Sequence, residues 1–288
     1  MDRLLAKKII DSFNGNVESL YDKINYIDME SNNFNIDDYY ELLFKTMFLY
    51  HLINGIESVS MRTQLPFVID RNISYNEFRR QLIKYKEYEL KIDLLPNIKN
   101  YFDNIIRLAS SKLLGMSDWR WTRVYSSKVT GKENNNCVGK IFISVDNKDL
   151  YRFANLLLAK CLENGLTDYE FKINNDDSKT RRDNVVIYFT LENFSNYITI
   201  INRIIEENPD IKINSSHPFG YEVNDYIRVG LDYNNGNESF TERICNIICG
   251  LKKKGISTEE IIDYLDKMIK DDLSYIIGTN DLEKRIGL

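Results

Sequence analysis

The sequence has few of the residues that build disulfide frameworks and metal sites. Its 288 residues include 4 cysteines, 4 prolines and 2 histidines. Cys137, Cys161, Cys245 and Cys249 show no framework spacing, and the chain begins without the apolar run of a signal peptide. We therefore expect a reduced protein in the cytoplasm.

Zinc sites and membrane spans are also disfavoured. Cys245 and Cys249 are four residues apart in a helical pattern, a spacing that could hold zinc. The two histidines, His51 and His217, are far from them in the sequence, so buried core thiols fit this pair better than zinc ligands do. No apolar run reaches the roughly 20 residues that a membrane-spanning helix needs. We expect no metal, no other cofactor and no membrane partner.

The short motifs of several enzyme classes are missing. The chain contains no Gly-rich phosphate loop, Gly-x-Ser-x-Gly elbow, His-Glu-x-x-His pair or catalytic-triad candidate, which argues against a nucleotide-dependent kinase. Its net charge of -5 argues against general binding to nucleic acid. Lys and Arg nevertheless outnumber Asp and Glu between Lys112 and Lys140, so a local anion site remains open.

The residues that are present describe an ordered chain of two parts. Apolar residues make up 43% and charged residues 28%, so a large core can form without disulfides. Residues 1–115 show helical periodicity, most clearly over 37–54 and 74–114, and the pattern changes near residue 116. We predict a helical N-terminal region over 1–115 and an α+β domain over 116–288.

The second part alternates strand and helix patterns. Strands are predicted over 119–129, 140–145, 168–173 and 185–190, and helices over 148–163, 192–207, 238–251 and 257–270. Ser257 and Glu260 have the spacing of a capping box at the start of the last helix. This order predicts an α+β fold whose sheet carries helices on one face, followed by C-terminal helices.

Basic residues lie at or within apolar strands that should be mostly buried. Lys140 begins a strand, Lys172 lies within another, and Arg181 and Arg182 precede a third. Basic side chains placed in this way on such strands can together form a binding site for an anion. In the strand over 119–129, alternation places Trp121 on one face, which fits a partly covered sheet edge near this site better than a platform for nucleic acid. We expect no nucleic-acid partner.

Five short motifs, taken in order, resemble the HopA effector family. They are Lys-Ile-Phe-Ile-Ser-Val, Phe-Lys-Ile, Arg-Arg-Asp-Asn-Val-Val-Ile-Tyr-Phe, His-Pro-Phe and Glu-Ser-Phe-Thr-Glu-Arg. The resemblance covers about residues 119 to 272. That family includes a type III effector and stand-alone proteins encoded beside peptide kinases in ribosomal peptide pathways, notably those of class V lanthipeptides.

The resemblance implies a phosphate-eliminating lyase. Stand-alone members are associated with removing phosphate from phosphorylated Ser or Thr, which leaves a dehydroamino acid. The pattern is more distantly similar to effector phosphothreonine lyases, in which a Lys-x-His strand precedes the strand of the catalytic lysine. The implied partners are a phosphorylated precursor peptide and a separate Ser/Thr peptide kinase.

Site residues carry over by matching these motifs. Lys140 matches the first lysine of the Lys-x-His strand, and Lys172 matches the lysine that acts as base. Phe142 stands where the lyases have their histidine acid, so either the acid comes from elsewhere or this chain does not catalyse that reaction. HopA-type members commonly lack that histidine too.

Further candidates follow from the chemistry of phosphate. Guanidinium groups bind phosphate through paired hydrogen bonds, and backbone amides at the helix start near Ser239 can also hold an anion. His217 is a candidate acid, and Tyr188 is a candidate hydrogen-bond donor to phosphate or enolate. The candidate phosphate-binding residues are Arg181, Arg182, Arg228, Arg243 and Lys128.

Ordinary structural roles compete with these assignments. Lys172 also fits an edge-strand lysine that points to water, and Arg181 with Arg182 fits a solvated turn. The alternative function is a non-catalytic HopA-type binding protein that uses the same basic groove. The helical N-terminal region has no motif with an assigned role, and packing on the lyase-like part, leader-peptide binding and homodimer formation all remain open.

Overall fold

The computed structural model describes residues 1–27, 121–125, 138–166, 169–174, 180–232 and 238–277. Helices and strands are numbered below in chain order within these ranges. The predicted helices over 37–54 and 74–114 lie outside the described residues. So do 119–120 and 126–129 of the first predicted strand.

An antiparallel sheet forms the centre of the structure. The strand bounds are β1 Tyr26–Ile27, β2 Trp121–Tyr125, β3 Gly139–Val145, β4 Glu170–Asn174, β5 Thr180–Arg181, β6 Val185–Phe189, β7 Ile213–Asn214, β8 Tyr221–Glu222 and β9 Arg228–Leu231. The strands of the sheet run in the order β2-β4-β6-β3-β9-β8, and β7 pairs with the end of β3. A short antiparallel pair, β1 with β5, lies apart from the sheet.

Helices flank the sheet, and the last two of them begin with side-chain caps. Ser239 and Glu242 exchange capping hydrogen bonds, and Ser257 and Glu260 do the same, as predicted for the last helix. A 3-10 turn, Asn147–Asp149, leads into α3. The helix bounds are α1 Arg3–Asp11, α2 Val17–Asn25, α3 Leu150–Glu163, α4 Phe194–Glu207, α5 Phe240–Lys253 and α6 Thr258–Ile277. Together with the sheet they confirm the α+β fold class.

The two faces of the sheet have different neighbours. Side chains alternate along a strand, so Ile141 and Lys140 point to opposite faces. On the Ile141 side, the ring of Phe189 lies 4.7 Å from that of Phe194 in α4, between ring centroids. On the Lys140 side, the ring of Phe142 lies 5.8 Å from that of Phe240 in α5. One face is therefore covered by α4 with α3 beside it, and the other meets the start of α5.

The first 27 residues pack on the C-terminal half. Helix α1 contacts α6 and α2 contacts α5. Thr258 donates a hydrogen bond to Asp11 at 2.6 Å, and the Arg182 amide donates to the carbonyl of Asn25 at 2.7 Å. We call residues 1–27 the N-terminal hairpin. It belongs to the same folded unit as the sheet, whereas the boundary near residue 116 stays a prediction.

The structure adds strands that the sequence did not predict. No helix or strand was predicted between residues 208 and 237, where β7, β8 and β9 lie. Two of these have only two residues, too short for a pattern of alternation. The third contains Gly230, and glycine is depleted in strands. These short strands widen the sheet beside Lys140.

We expect Gly230→Ala to destabilise the protein. A Cβ at this position would lie 2.6 Å from the ring of Phe240 and 2.9 Å from that of Phe142, so the aromatic packing under the site would have to shift. Overpacking of this kind costs about 1–3 kcal/mol. The measurement is the free energy of unfolding in urea.

Gly250→Ala is the matched control on α5. A Cβ there meets nothing within 4 Å, and alanine stabilises a helix interior over glycine by about 0.5–1 kcal/mol. Equal effects of the two substitutions would contradict the close packing around Gly230.

Candidate functional site

A pocket of about 280 Å³ opens on the Lys140 face of the sheet. The sheet, the start of α5 and the N-terminal hairpin all contribute to its wall. The lining residues are Tyr21, Asp22, Tyr26, Trp121, Lys140, Phe142, Lys172, Asn174, Arg181, Asp183, Val186, Ser239, Phe240 and Thr241. Three of the predicted site residues, Lys140, Lys172 and Arg181, therefore share one cavity.

The two lysines lie on either side of Tyr188. Strand β6 runs between β3 and β4, and Lys140 is directly opposite Tyr188 in the strand register. The Nζ atom of Lys140 lies 5.6 Å from the centroid of the Tyr188 ring, and that of Lys172 lies 5.9 Å from it. Both ammonium groups are thus directed to the same region from strands that hold them in fixed register.

Aromatic rings separate the cations along this wall. The Nζ atom of Lys172 lies 4.2 Å from the ring centroid of Trp121. The guanidinium carbon of Arg181 lies 5.0 Å from the same ring and 4.8 Å from the ring of Tyr26. Such contacts attract the cation to the ring face. As the strand pattern predicted, Trp121 lies beside the basic residues.

Arg181 forms a buried ion pair with Asp183. Its Nε and Nη2 atoms donate to the two carboxylate oxygens at 2.8 and 3.1 Å, and Nη1 donates to the Tyr26 hydroxyl at 3.1 Å. Burial disfavours the carboxylate, but Arg181 outweighs it and lowers the pKa of Asp183. Burial likewise acts against the guanidinium, yet Asp183 raises the pKa of Arg181. Both groups stay charged at neutral pH.

Lys140 is also paired with a carboxylate. Its Nζ atom lies 2.5 Å from Asp232, which follows β9. The same carboxylate accepts a hydrogen bond from the Phe240 amide at 3.2 Å, while the Ser239 amide donates to Glu242 at 2.7 Å. These two amides at the start of α5 are therefore engaged by side chains, so neither is directed at an anion in this structure.

His217 lies beneath the pocket and outside its lining. It is fully buried, its ring stacks on that of Phe142 with centroids 4.8 Å apart, and Nε2 lies 2.9 Å from the Thr241 hydroxyl. Burial lowers the pKa of His217 to about 4, although Asp183 acts in the opposite direction. The imidazole is neutral at pH 7 and screened by Phe142, which disfavours it as the acid for a ligand in the pocket.

Three candidate arginines do not line the pocket. The guanidinium of Arg228 binds Glu222 at 3.4 Å and nearby carbonyl groups, and Arg243 binds Asp272 at 2.8 Å. The Arg182 backbone bonds to the N-terminal hairpin and to Ser216, away from the lining. That these three arginines contact phosphate directly stays a prediction, and their positions in the structure do not support it. Lys128 lies outside the described residues.

The sequence analysis missed several lining residues. Asp183 was quoted within a motif but given no role, although its spacing from Arg181 allows an ion pair. Tyr21, Asp22 and Tyr26 come from a segment about 150 residues earlier in the chain, and no local pattern connects them to the sheet. Only tertiary packing brings that segment to the pocket.

Metal ligands and reactive thiols are not features of the described site. Within the described ranges, no group of three or more His, Cys, Asp or Glu side chains could hold a metal ion. Cys161, Cys245 and Cys249 are free and buried, and burial raises the pKa of Cys245 to about 12. Cys245 and Cys249 are therefore buried thiols, as predicted for this pair, and Cys161 is buried as well. No helix in the described part is long and apolar enough to cross a membrane.

Two solved effector structures have the same architecture. An effector protein from Pseudomonas syringae pv. tomato strain DC3000 matches with a TM-score of 0.52 at 13% identity, covering 91% of this chain and 89% of that one. An effector protein from P. syringae pv. syringae strain 61 matches with a TM-score of 0.51 at 9% identity and the same coverage. This chain shares their fold. No protein-family model matches the sequence, and no curated protein does either.

We expect His217 to make the stability depend on pH. Because the folded state lowers the pKa of His217 from 6.5 to about 4, its neutral form stabilises the fold above pH 6.5, and this contribution is lost as the pH falls from 6.5 towards 4. The loss amounts to about 3 kcal/mol. Urea unfolding across this pH range measures it.

His217→Gln is the comparison variant, since an amide can keep the hydrogen bond to Thr241 without titrating. Its stability should fall less between pH 6.5 and 4 than that of the wild type. His51 is present in both proteins, so any contribution from it cancels in the comparison. Parallel stability profiles would rule out a buried neutral imidazole.

Proposed function

We propose that this protein eliminates phosphate from phosphorylated Ser or Thr residues of a peptide. The observation that supports this most is the placement of Lys140 and Lys172 on either side of Tyr188, in one pocket with Arg181. A cavity with several cations and no metal-ligand cluster in its described wall fits a phosphate group held by charge.

Lys172 is the proposed base. It takes the Cα proton, the electron pair forms the Cα–Cβ double bond, and the Cβ–O bond breaks to release inorganic phosphate. A lysine accepts a proton only when it is neutral, a form that positive neighbours such as Lys140 and Arg181 favour. Both of these cations are paired with carboxylates, and the ring of Trp121 favours the ammonium form of Lys172. A variant at Lys172 therefore tests the assignment directly.

The remaining pocket groups stabilise charge. Lys140 lies where it can bind the developing enolate, and Arg181 supplies positive charge for the phosphate. The ring of Tyr188 lies between the two lysines but does not line the pocket, so its role as a hydrogen-bond donor stays a prediction. A phosphate monoester has a second pKa near 6. Once its charge is balanced, the leaving group needs only a weak acid, so the reaction does not depend on a histidine at position 142.

The proposed substrate is a ribosomally made precursor peptide. The motif order that resembles the HopA family, the position of Lys140 and Lys172 in one pocket, and the fold shared with the two effectors support this together. A separate kinase would phosphorylate Ser or Thr, and this protein would then form dehydroalanine or dehydrobutyrine in the cytoplasm. No cofactor is needed for this step, because proton and phosphate are both lost from the substrate.

We expect the wild type to remove about 98 Da, one phosphoric acid, from a phosphorylated precursor peptide. Lys172→Ala should slow this loss by about 100-fold or more, the usual size of a general-base contribution. Mass spectrometry of the peptide over time measures both rates.

Lys270→Ala is the control, because Lys270 is a surface residue on α6 that pairs with Asp266 and does not line the pocket. It should leave the rate unchanged. If a kinase-treated cognate precursor loses no mass with the wild type, the lyase proposal is wrong.

A binding protein without catalytic activity is the second candidate, and Phe142 favours it. Its ring lines the pocket where the lyases have an acid, and it stacks on His217. The pocket floor is therefore apolar at that point. Such a protein would hold a phosphorylated peptide intact, so saturable binding with no mass loss would identify it.

A further inference from the structure

Asp22 gives the pocket a charge that the anion chemistry does not use. It lies on α2 of the N-terminal hairpin, lines the pocket and is exposed to solvent. Lys140 and Lys172 line the same cavity. A ligand that fills this pocket therefore meets a carboxylate as well as ammonium groups.

Asp22 and Asp183 are the two acidic residues of the described pocket wall, and they differ in their partners. Among the described residues, no Lys or Arg forms an ion pair with Asp22, whereas Asp183 is paired with Arg181. The adjacent Lys23 donates to the carbonyl and hydroxyl of Ser12 at 2.9 and 3.1 Å. The site thus has one exposed negative charge available to a ligand.

The local helix does not stabilise this charge either. Asp22 lies three residues before the last residue of α2, where the helix dipole favours positive charge. An acidic residue at this position therefore lowers the stability of the helix slightly. A cationic group of a ligand would provide the missing favourable interaction.

The hairpin also holds Asp22 in a defined place. The Tyr26 amide donates to the carbonyl of Asp22, and Tyr26 pairs with Arg181 in the register of β1 and β5. The hydroxyl of Tyr26 accepts from Arg181 at 3.1 Å. Asp22 is therefore connected to the buried ion pair of the pocket through one residue, so its carboxylate is presented from a fixed helix end.

We propose that Asp22 determines specificity by selecting phosphorylated peptides that carry Lys or Arg close to the phosphorylated residue. The proposal rests on the function proposed above and names the substrate more narrowly. The phosphate would lie against the lysines while the neighbouring basic side chain pairs with Asp22. An acidic neighbour would meet like charge at the same place and bind more weakly.

The test measures binding without turnover. Three fluorescent peptides would carry a difluoromethylene phosphonate in place of the phosphoserine ester, because its carbon–phosphorus bond cannot be eliminated. They would differ only in the residues beside it, which are Arg, Gln or Glu. Fluorescence anisotropy should give the tightest binding for Arg and the weakest for Glu, with about fivefold between Arg and Gln at most, as for an exposed ion pair.

Charge reversal at Asp22 is the decisive variant. Asp22→Lys should reverse the order of the Arg and Glu peptides, and Asp22→Asn should bring the two close together. Glu18→Gln is the matched control, since Glu18 is an exposed carboxylate on the same helix that does not line the pocket. It should leave the order unchanged, and high salt should weaken the preference of the wild type.

The outcomes separate this inference from the function on which it rests. If all three peptides bind the wild type equally well, the role of Asp22 is wrong and the phosphate site stands. If Glu18→Gln alters the preference as much as Asp22→Asn does, overall charge explains it and the role of Asp22 is wrong. If none of the peptides binds, both proposals fall.

Discussion

The buried ion pair between Arg181 and Asp183 connects the separate segments that form the pocket. Arg181 binds the carboxylate through two nitrogen atoms, donates to Tyr26 of the N-terminal hairpin and contacts the ring of Trp121 on the edge strand. Losing one partner of such a pair leaves an uncompensated charge in the interior, which typically costs about 3–5 kcal/mol. The position of the hairpin and the wall of the pocket therefore depend on the same contact.

Two cations of the site are paired with carboxylates of the protein itself. Lys140 is paired with Asp232 and Arg181 with Asp183, while the ammonium group of Lys172 lies over an aromatic ring. An anionic ligand must compete with these carboxylates or add to their network. In the proposed function, a ligand that also pairs with Asp22 gains more from the pocket than a single small anion does. Peptide recognition and phosphate binding would then depend on the same set of charges.

Much of the local structure could be predicted because it follows from local patterns. The strand with Lys140 was predicted over 140–145 and is Gly139–Val145, and the helix predicted over 192–207 is Phe194–Glu207. Apolar alternation and helical periodicity specify such elements within a few residues. The strand Arg228–Leu231 was not predicted, because a strand of four residues that includes a glycine shows too little apolar alternation to be recognised.

The sequence by itself determined which basic residues lie on the strands of the site, and the tertiary structure decided which of them meet. Strand alternation was enough to direct Lys140 and Lys172 to one side of the sheet once β6 had paired with both of their strands in this register. Arg181 joined them, whereas Arg243 pairs with a carboxylate on another helix and His217 is covered by Phe142. The physical reason is that side-chain direction within a strand or helix is a local property. Strand order, burial and choice of ion-pair partner arise only when distant segments of the chain pack together.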